Sequence, residues 1–207
     1  MSRLLLICGI LAAPLFILTD IVAAVWLYPG YDYTAQQVSE LSAIGAPSRD
    51  FWMAMSYPYF ALTLGFAAGI WRAAEPNWPL RVCAALVGLF ALNSLLWGFV
   101  APMHMRGTNF TDTDTMHLLF AVSAVVLIVA IISFGAAAMG KRFRIISAAV
   151  LLLIIAAGGI VSTSIEAIAA NQPTPWMGLI ERISVYGPLL WMAGLAATLL
   201  RRSRAIG

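Results

Sequence analysis

The sequence predicts an all-α, polytopic membrane protein: a bundle of six transmembrane helices with a short amphipathic outer helix after the first span. Three observations carry this. The apolar class makes up 62% of the 207 residues and charged residues only 10%, against about a quarter charged in a soluble domain. Mean hydropathy is +0.91, so the solvent for most of the chain is lipid. The apolar residues also gather into six runs, each near the roughly 20 residues that cross a bilayer core.

The first run, residues 4–27, is interrupted by Pro14, Thr19 and Asp20. It follows Arg3 and resembles a signal peptide, but its length and Asp20 favour an uncleaved first helix. The others are residues 51–71, 80–100, 116–139, 143–169 and 177–200. No tandem repeat or low-complexity tract interrupts them, and residues 1–207 read as a single transmembrane domain.

Charge sets the orientation. If the helices alternate, Arg3, Arg72, Arg81, Lys141, Arg142, Arg144, Arg201, Arg202 and Arg204 fall on one side, and Arg49, Arg106 and Arg182 on the other. The positive-inside rule then expects both termini in the cytoplasm. Among the acids only Glu75 shares the basic side. The basic excess is a topology signal and not a nucleic-acid footprint, so no nucleic-acid partner is expected. Cys8 and Cys83 are too few for a disulfide framework and read as small apolar side chains.

Polarity along the spans is lopsided. The halves near the basic side are almost pure hydrocarbon, as in Val125-Val-Leu-Ile-Val129 and Leu151-Leu-Leu-Ile-Ile155. The opposite halves carry Asp20, Asn93, Ser94, Glu166, Glu181, Arg182 and Tyr186. At about 1.5 Å per residue, Asp20 lies roughly 10 Å below the outer end of its helix. An ionisable group at such depth usually faces the bundle interior or a watery cavity. The expectation is one polar pocket open to the outside above an apolar plug, which argues against a through-going channel or transporter path.

Three outer segments would line it. Residues 28–47 open on a Pro29-Gly30 turn, and Val38, Leu41 and Ile44 then recur at helical spacing. That predicts a short amphipathic helix, either an interfacial anchor or a lid on the bundle mouth. The second segment, His104 to His117, holds both histidines of the chain and admits three readings. Asp112, Thr113 and Asp114 suit the start of the fourth helix as caps. His104, His117 and Asp114 together are candidate ligands for a divalent metal such as zinc. His117 is otherwise a buried polar group, or a general base oriented by Asp114 or Glu166. In the third segment, residues 170–182, Arg182 either pairs with Glu166 or Asp20 across the bundle or serves, as Arg106 would, as a hook for an anionic head group.

Several motifs carry a resemblance: Tyr28-Pro-Gly-Tyr31-Asp32, Gln36-x-Val38-Ser39-Glu40-Leu41-Ser42, Pro102-Met-His104-x-Arg106-Gly107, Thr113-Asp114-Thr-Met-His117, Pro173-Thr-Pro175-Trp176-x-Gly178, and Glu181-Arg182-Ile183. In order and spacing they resemble the integral-membrane family catalogued as domain of unknown function 998. The resemblance implies a multi-span protein of a prokaryotic inner membrane and points to Tyr31, Ser39, Glu40, Leu41, His104, Asp114, His117, Glu181 and Arg182 as site residues. Beside these, Asp20 and Arg106 are ligand-binding candidates from the residues themselves. The expected function is binding of a membrane lipid or other amphiphile. The alternatives are a metal-assisted or His-based membrane hydrolase using His117, Asp114 and Glu166, and a non-catalytic subunit that docks another membrane protein.

Overall fold

The computed structural model describes residues 2–205, leaving the side chains of residues 2, 169, 204 and 205 outside the description, among them that of Arg204. The chain is 78% helix with no strand among the described residues. Six helices are long and apolar enough to span a membrane. In chain order the elements are α1 (Ser2–Val22), continued by a π-helical turn (Ala23–Leu27), a 3-10 turn (Val38–Ser42), α2 (Arg49–Ala73), α3 (Trp78–Val100), α4 (Asp112–Ala137), α5 (Lys141–Ser162), α6 (Ile165–Ala169) and α7 (Met177–Ala205).

Two boundaries differ from the sequence expectation for physical reasons. The fifth apolar run does not stay helical to residue 169. Ser162 Oγ donates to the Gly159 carbonyl at 2.8 Å and Thr163 Oγ1 to that of Ile160 at 2.7 Å. Hydroxyls that bond the preceding turn compete with the helical ladder, and the chain bends there before α6. The fourth helix starts four residues earlier than its apolar run, at Asp112. A capping box explains this: Thr111 and Asp114 exchange side-chain-to-backbone bonds, satisfying N–H groups that a helix start leaves open.

The helices pack in the neighbour order α4, α3, α2, α1, α7, α5. The α7 span buries 39% of its residues inside the protein and α5 only 17%, so α7 is the central post and α5 lies against it facing lipid. Trp191 Nε1 donates to Ser147 Oγ at 2.8 Å to join the two. Small residues set the α1–α2 contact. A Cβ on Gly69 would sit 2.8 Å from the Leu5 carbonyl carbon, and one on Gly65 3.1 Å from Cys8 Sγ. Gly65-Phe-Ala-Ala-Gly69 is thus a small-xxx-small seam of the kind that lets membrane helices approach closely.

Six spans place both termini at the same end, where Arg3 Nη2 donates to the Ser203 carbonyl at 3.2 Å. Arg72, Arg81, Lys141 and Arg142 share that basic end. Below the acidic end the interior is apolar, centred on Leu6, Phe66, Ile70, Val87, Ile131, Ile132 and Leu195.

Candidate functional site

The acidic end is organised by residues 28–48, which fold over it as a lid held by one buried arginine and one half-buried one. Arg182, on the first turns of α7, grips Asp20 of α1 with one edge of its guanidinium, Nε to Oδ2 at 2.8 Å and Nη2 to Oδ1 at 2.9 Å. Asp20 is 0% and Arg182 3% exposed. The remaining N–H groups go to the lid and back to α7: Nη1 reaches the carbonyls of Tyr33 and Gln36 and that of Gly178 on its own helix, and Nη2 the Tyr31 hydroxyl at 3.0 Å. The Tyr33 ring lies 3.5 Å from the guanidinium carbon, a cation–π contact. Tyr33 and Tyr186 hydroxyls complete the shell on Asp20.

The second arginine works the same way. Arg106 forks onto Glu40, Nε to Oε2 at 2.9 Å and Nη2 to Oε1 at 2.7 Å. It also donates to Thr174 Oγ1 at 2.8 Å and to the Ala35 carbonyl. Glu40 is 2% exposed and takes Gln37 N–H at 2.8 Å as well. Glu181 Oε2 accepts the Val38 N–H, and Ser48 Oγ donates to the Leu41 carbonyl. Ser39 contributes its carbonyl, which accepts from Ser42. Burial raises the Tyr31 phenol above its ordinary value, against the opposing pull of Arg182. At the exposed rim, hydrogen bonds from Thr34 lower the Asp32 carboxyl below its ordinary value.

These contacts correct the expectation of one open polar pocket. Asp20, Tyr31, Ser39, Glu40, Arg106, Glu181 and Arg182 do gather at one end, but they spend their hydrogen bonds on one another or on the backbone and side chains beside them. A charge in an apolar bundle is tolerable when paired and fully bonded, and five buried N–H groups of Arg182 leave none for an anionic head group. The cavity beneath, lined by Gly9, Ala12, Thr63 and Phe66 among others, is only about 10 Å³, too small for a ligand.

The histidines part company. His104 sits beside Asp114: its backbone N–H donates to Oδ1 at 2.7 Å and its Nδ1 lies 3.0 Å from Oδ2. Asp114 is 7% exposed. His117 lies one helical turn along α4 but faces α3, with Nδ1 2.9 Å from Trp97 Nε1 and 3.0 Å from the Ala101 carbonyl. One tautomer satisfies only one of those two contacts. Glu166 is exposed on α6 and hydrogen-bonds to neither of them. The structure therefore does not assemble His117, Asp114 and Glu166 as an acid–base set. Nor does it assemble His104, His117 and Asp114 as zinc ligands: no group of three or more His, Cys, Asp or Glu suited to a metal exists among the described residues. The carboxylate that the sequence offers to His117 is held by His104 instead.

An opening does lie among the three outer segments, at the rim and not between the buried charged pairs. A groove of about 490 Å³ opens at the acidic end between the lid and the turn before α7, lined by Asp32, Thr34, Ala35, Arg106, Pro173, Thr174, Pro175 and Trp176. Its two walls are stitched by Thr174 Oγ1 to the Ala35 carbonyl at 2.9 Å and by the Leu179 N–H to the Thr34 carbonyl at 3.3 Å. Trp176 has φ of 66°, the left-handed region, which a bulky residue adopts only when its surroundings impose it. The residue is 64% exposed. The Pro173-Thr-Pro175-Trp176 motif was the available signal.

A family model described as "Protein of unknown function (DUF998)" matches residues 10–198. No curated protein and no solved structure matches the chain.

Proposed function

The chain belongs to the DUF998 family, and from that premise we propose that it binds a membrane amphiphile at its acidic end, head group in the groove and chain in the surrounding lipid. The acidic end faces outward in this reading, with both termini in the cytoplasm of a prokaryotic plasma membrane. The one-sided set of basic residues supports that orientation.

The observation that carries the reading is the groove itself. It lies open to the outside where the lid meets the turn before α7, so a head group can enter it without any rearrangement of the buried pairs. An exposed Trp176 between the groove and the helix end matches the amphipathic residue found where apolar and wet zones meet. Thr34, Thr174 and Asp32 supply polar contacts at its mouth. The test is native mass spectrometry of protein extracted with its own lipid. A retained lipid whose occupancy falls several-fold in Trp176→Ala supports the reading. Extraction without any bound amphiphile, from several mild detergents, counts against it.

A His-based hydrolase acting on a lipid-like substrate is the second reading, and one observation favours it. Asp114 fixes His104 through Nδ1, the arrangement that leaves Nε2 as the proton acceptor in a base–orienter pair. Hydrolysis of a lipid ester that vanishes in His104→Ala and survives in His117→Phe would favour this reading over simple binding.

A further inference from the structure

The groove reading can be taken further, to the class of head group. We propose that the groove selects an amphiphile whose head group carries an ammonium cation, held between the exposed carboxylate of Asp32 and the exposed indole of Trp176. The inference rests on the amphiphile reading above.

Two charges line the groove, Asp32 and Arg106. Arg106 is already neutralised. Its side chain is 14% exposed and forks onto Glu40, which is itself buried at 2%. Asp32 has no cationic partner among the described residues. Its Oδ1 takes the Thr34 N–H at 2.9 Å, the Thr34 hydroxyl at 2.6 Å and the Ala35 N–H at 3.3 Å, while Oδ2 makes no hydrogen bond among the described residues. The lining together with Glu40 is thus net negative.

The helix start beside the groove does not reverse that sign. The Met177 N–H is taken by the Thr174 carbonyl, the Leu179 N–H by that of Thr34 and the Ile180 N–H by that of Trp176. An anion would meet few open donors there. An ammonium group would meet an exposed carboxylate and an exposed indole, the aromatic ring that binds cations best. Pro173 and Pro175 hold the indole's side of the groove stiff, since their ring-locked φ leaves little to reorganise. A zwitterionic lipid with a protonated amine has the required chemistry.

The test titrates phosphatidylethanolamine and phosphatidylglycerol of matched acyl chains into the detergent-solubilised full chain, read by native mass spectrometry. The ammonium lipid is expected to bind about five-fold more tightly, the size of an exposed ion pair joined to a cation–π contact. Asp32→Asn, whose amide oxygen still accepts the turn's three bonds, should bring the ratio to about one. Trp176→Leu should weaken the preference and Trp176→Phe retain part of it. A ratio unchanged in Asp32→Asn, or preference for the anionic lipid, overturns the head-group inference and leaves amphiphile binding standing. No binding of either lipid, in wild type and Trp176→Ala alike, overturns both.

Discussion

Arg182 and Asp20 lie 162 residues apart in the chain and meet through two hydrogen bonds of 2.8 and 2.9 Å at the acidic end of the bundle. The pair fastens the last spanning helix to the first and fixes the lid above them. A buried ion pair of this kind is weak as a net source of stability, yet breaking it is expensive.

The first prediction follows. Arg182→Met leaves Asp20 charged and unpaired in an apolar bundle, and should cost about 3–5 kcal/mol. The double variant Asp20→Leu with Arg182→Met removes both charges and should recover more than half of that loss. Thermal unfolding in detergent, followed by intrinsic tryptophan fluorescence, measures both. A double variant no more stable than the single one would contradict the account.

Arg106→Lys tests the second clamp. Lysine keeps the charge but has no fork to match both oxygens of Glu40. Hydrogen exchange should accelerate at residues 35–43 by about ten-fold or more, while the spans stay protected. Uniform acceleration over the whole chain would show that Arg106 supports global stability and not the lid.

Gly178→Ala probes the lid from below. A Cβ there would fall against the Gln36 carbonyl oxygen, 2.6 Å from the Tyr33 carbonyl oxygen and 3.1 Å from Arg182 Nη1. Two of these neighbours are backbone and cannot swing aside, so a loss of about 1–3 kcal/mol is expected. Gly158→Ala, where a Cβ meets nothing within 4 Å, is the control and should be neutral or slightly stabilising. The same unfolding measurement compares them.

A pH effect is expected at the turn over residues 32–36. Hydrogen bonds from Thr34 hold the Asp32 carboxyl below its ordinary value of 3.8. The depressed value means that the ionised form is favoured in the folded turn. Its contribution is complete above the ordinary value and fades as pH falls through the lower folded one. Amide exchange at Thr34 and Ala35, corrected for intrinsic rates, should hold steady from neutral pH to about 4 and open below that. Thr34→Ala should move the opening to higher pH.

The reach of the sequence differs from residue to residue. A carboxylate such as Asp20, roughly 10 Å below a helix end, demands a partner, and the sequence offers Arg182 for it. Nothing in the chain order separates Glu166 from Asp20 as the partner of Arg182; the structure decides, with Glu166 exposed on α6 beyond the bend at residues 162–164. Asp114 and His117 share a helix face at a spacing of three, yet Asp114 turns back toward Thr111 and His104 while His117 turns toward Trp97. Side chains tilt toward the helix start, so the carboxylate on the first turn is claimed by the loop before it. The Arg106–Glu40 clamp joins two loops 66 residues apart, and no periodicity announces such a meeting.

By itself the sequence determined the solvent, the six spans, the charged asymmetry of the two ends and which residues crowd the acidic one. These depend on composition and local order along a helix, and transfer into lipid is a property of each segment alone. Only the tertiary structure decided the pairings: which carboxylate each arginine takes, which histidine holds Asp114, and that the crowded end closes into bonded pairs with its groove at the rim. A partner across the bundle depends on how each helix is rotated and packed against its neighbours, which is fixed by all the contacts together and written in no one stretch of the chain.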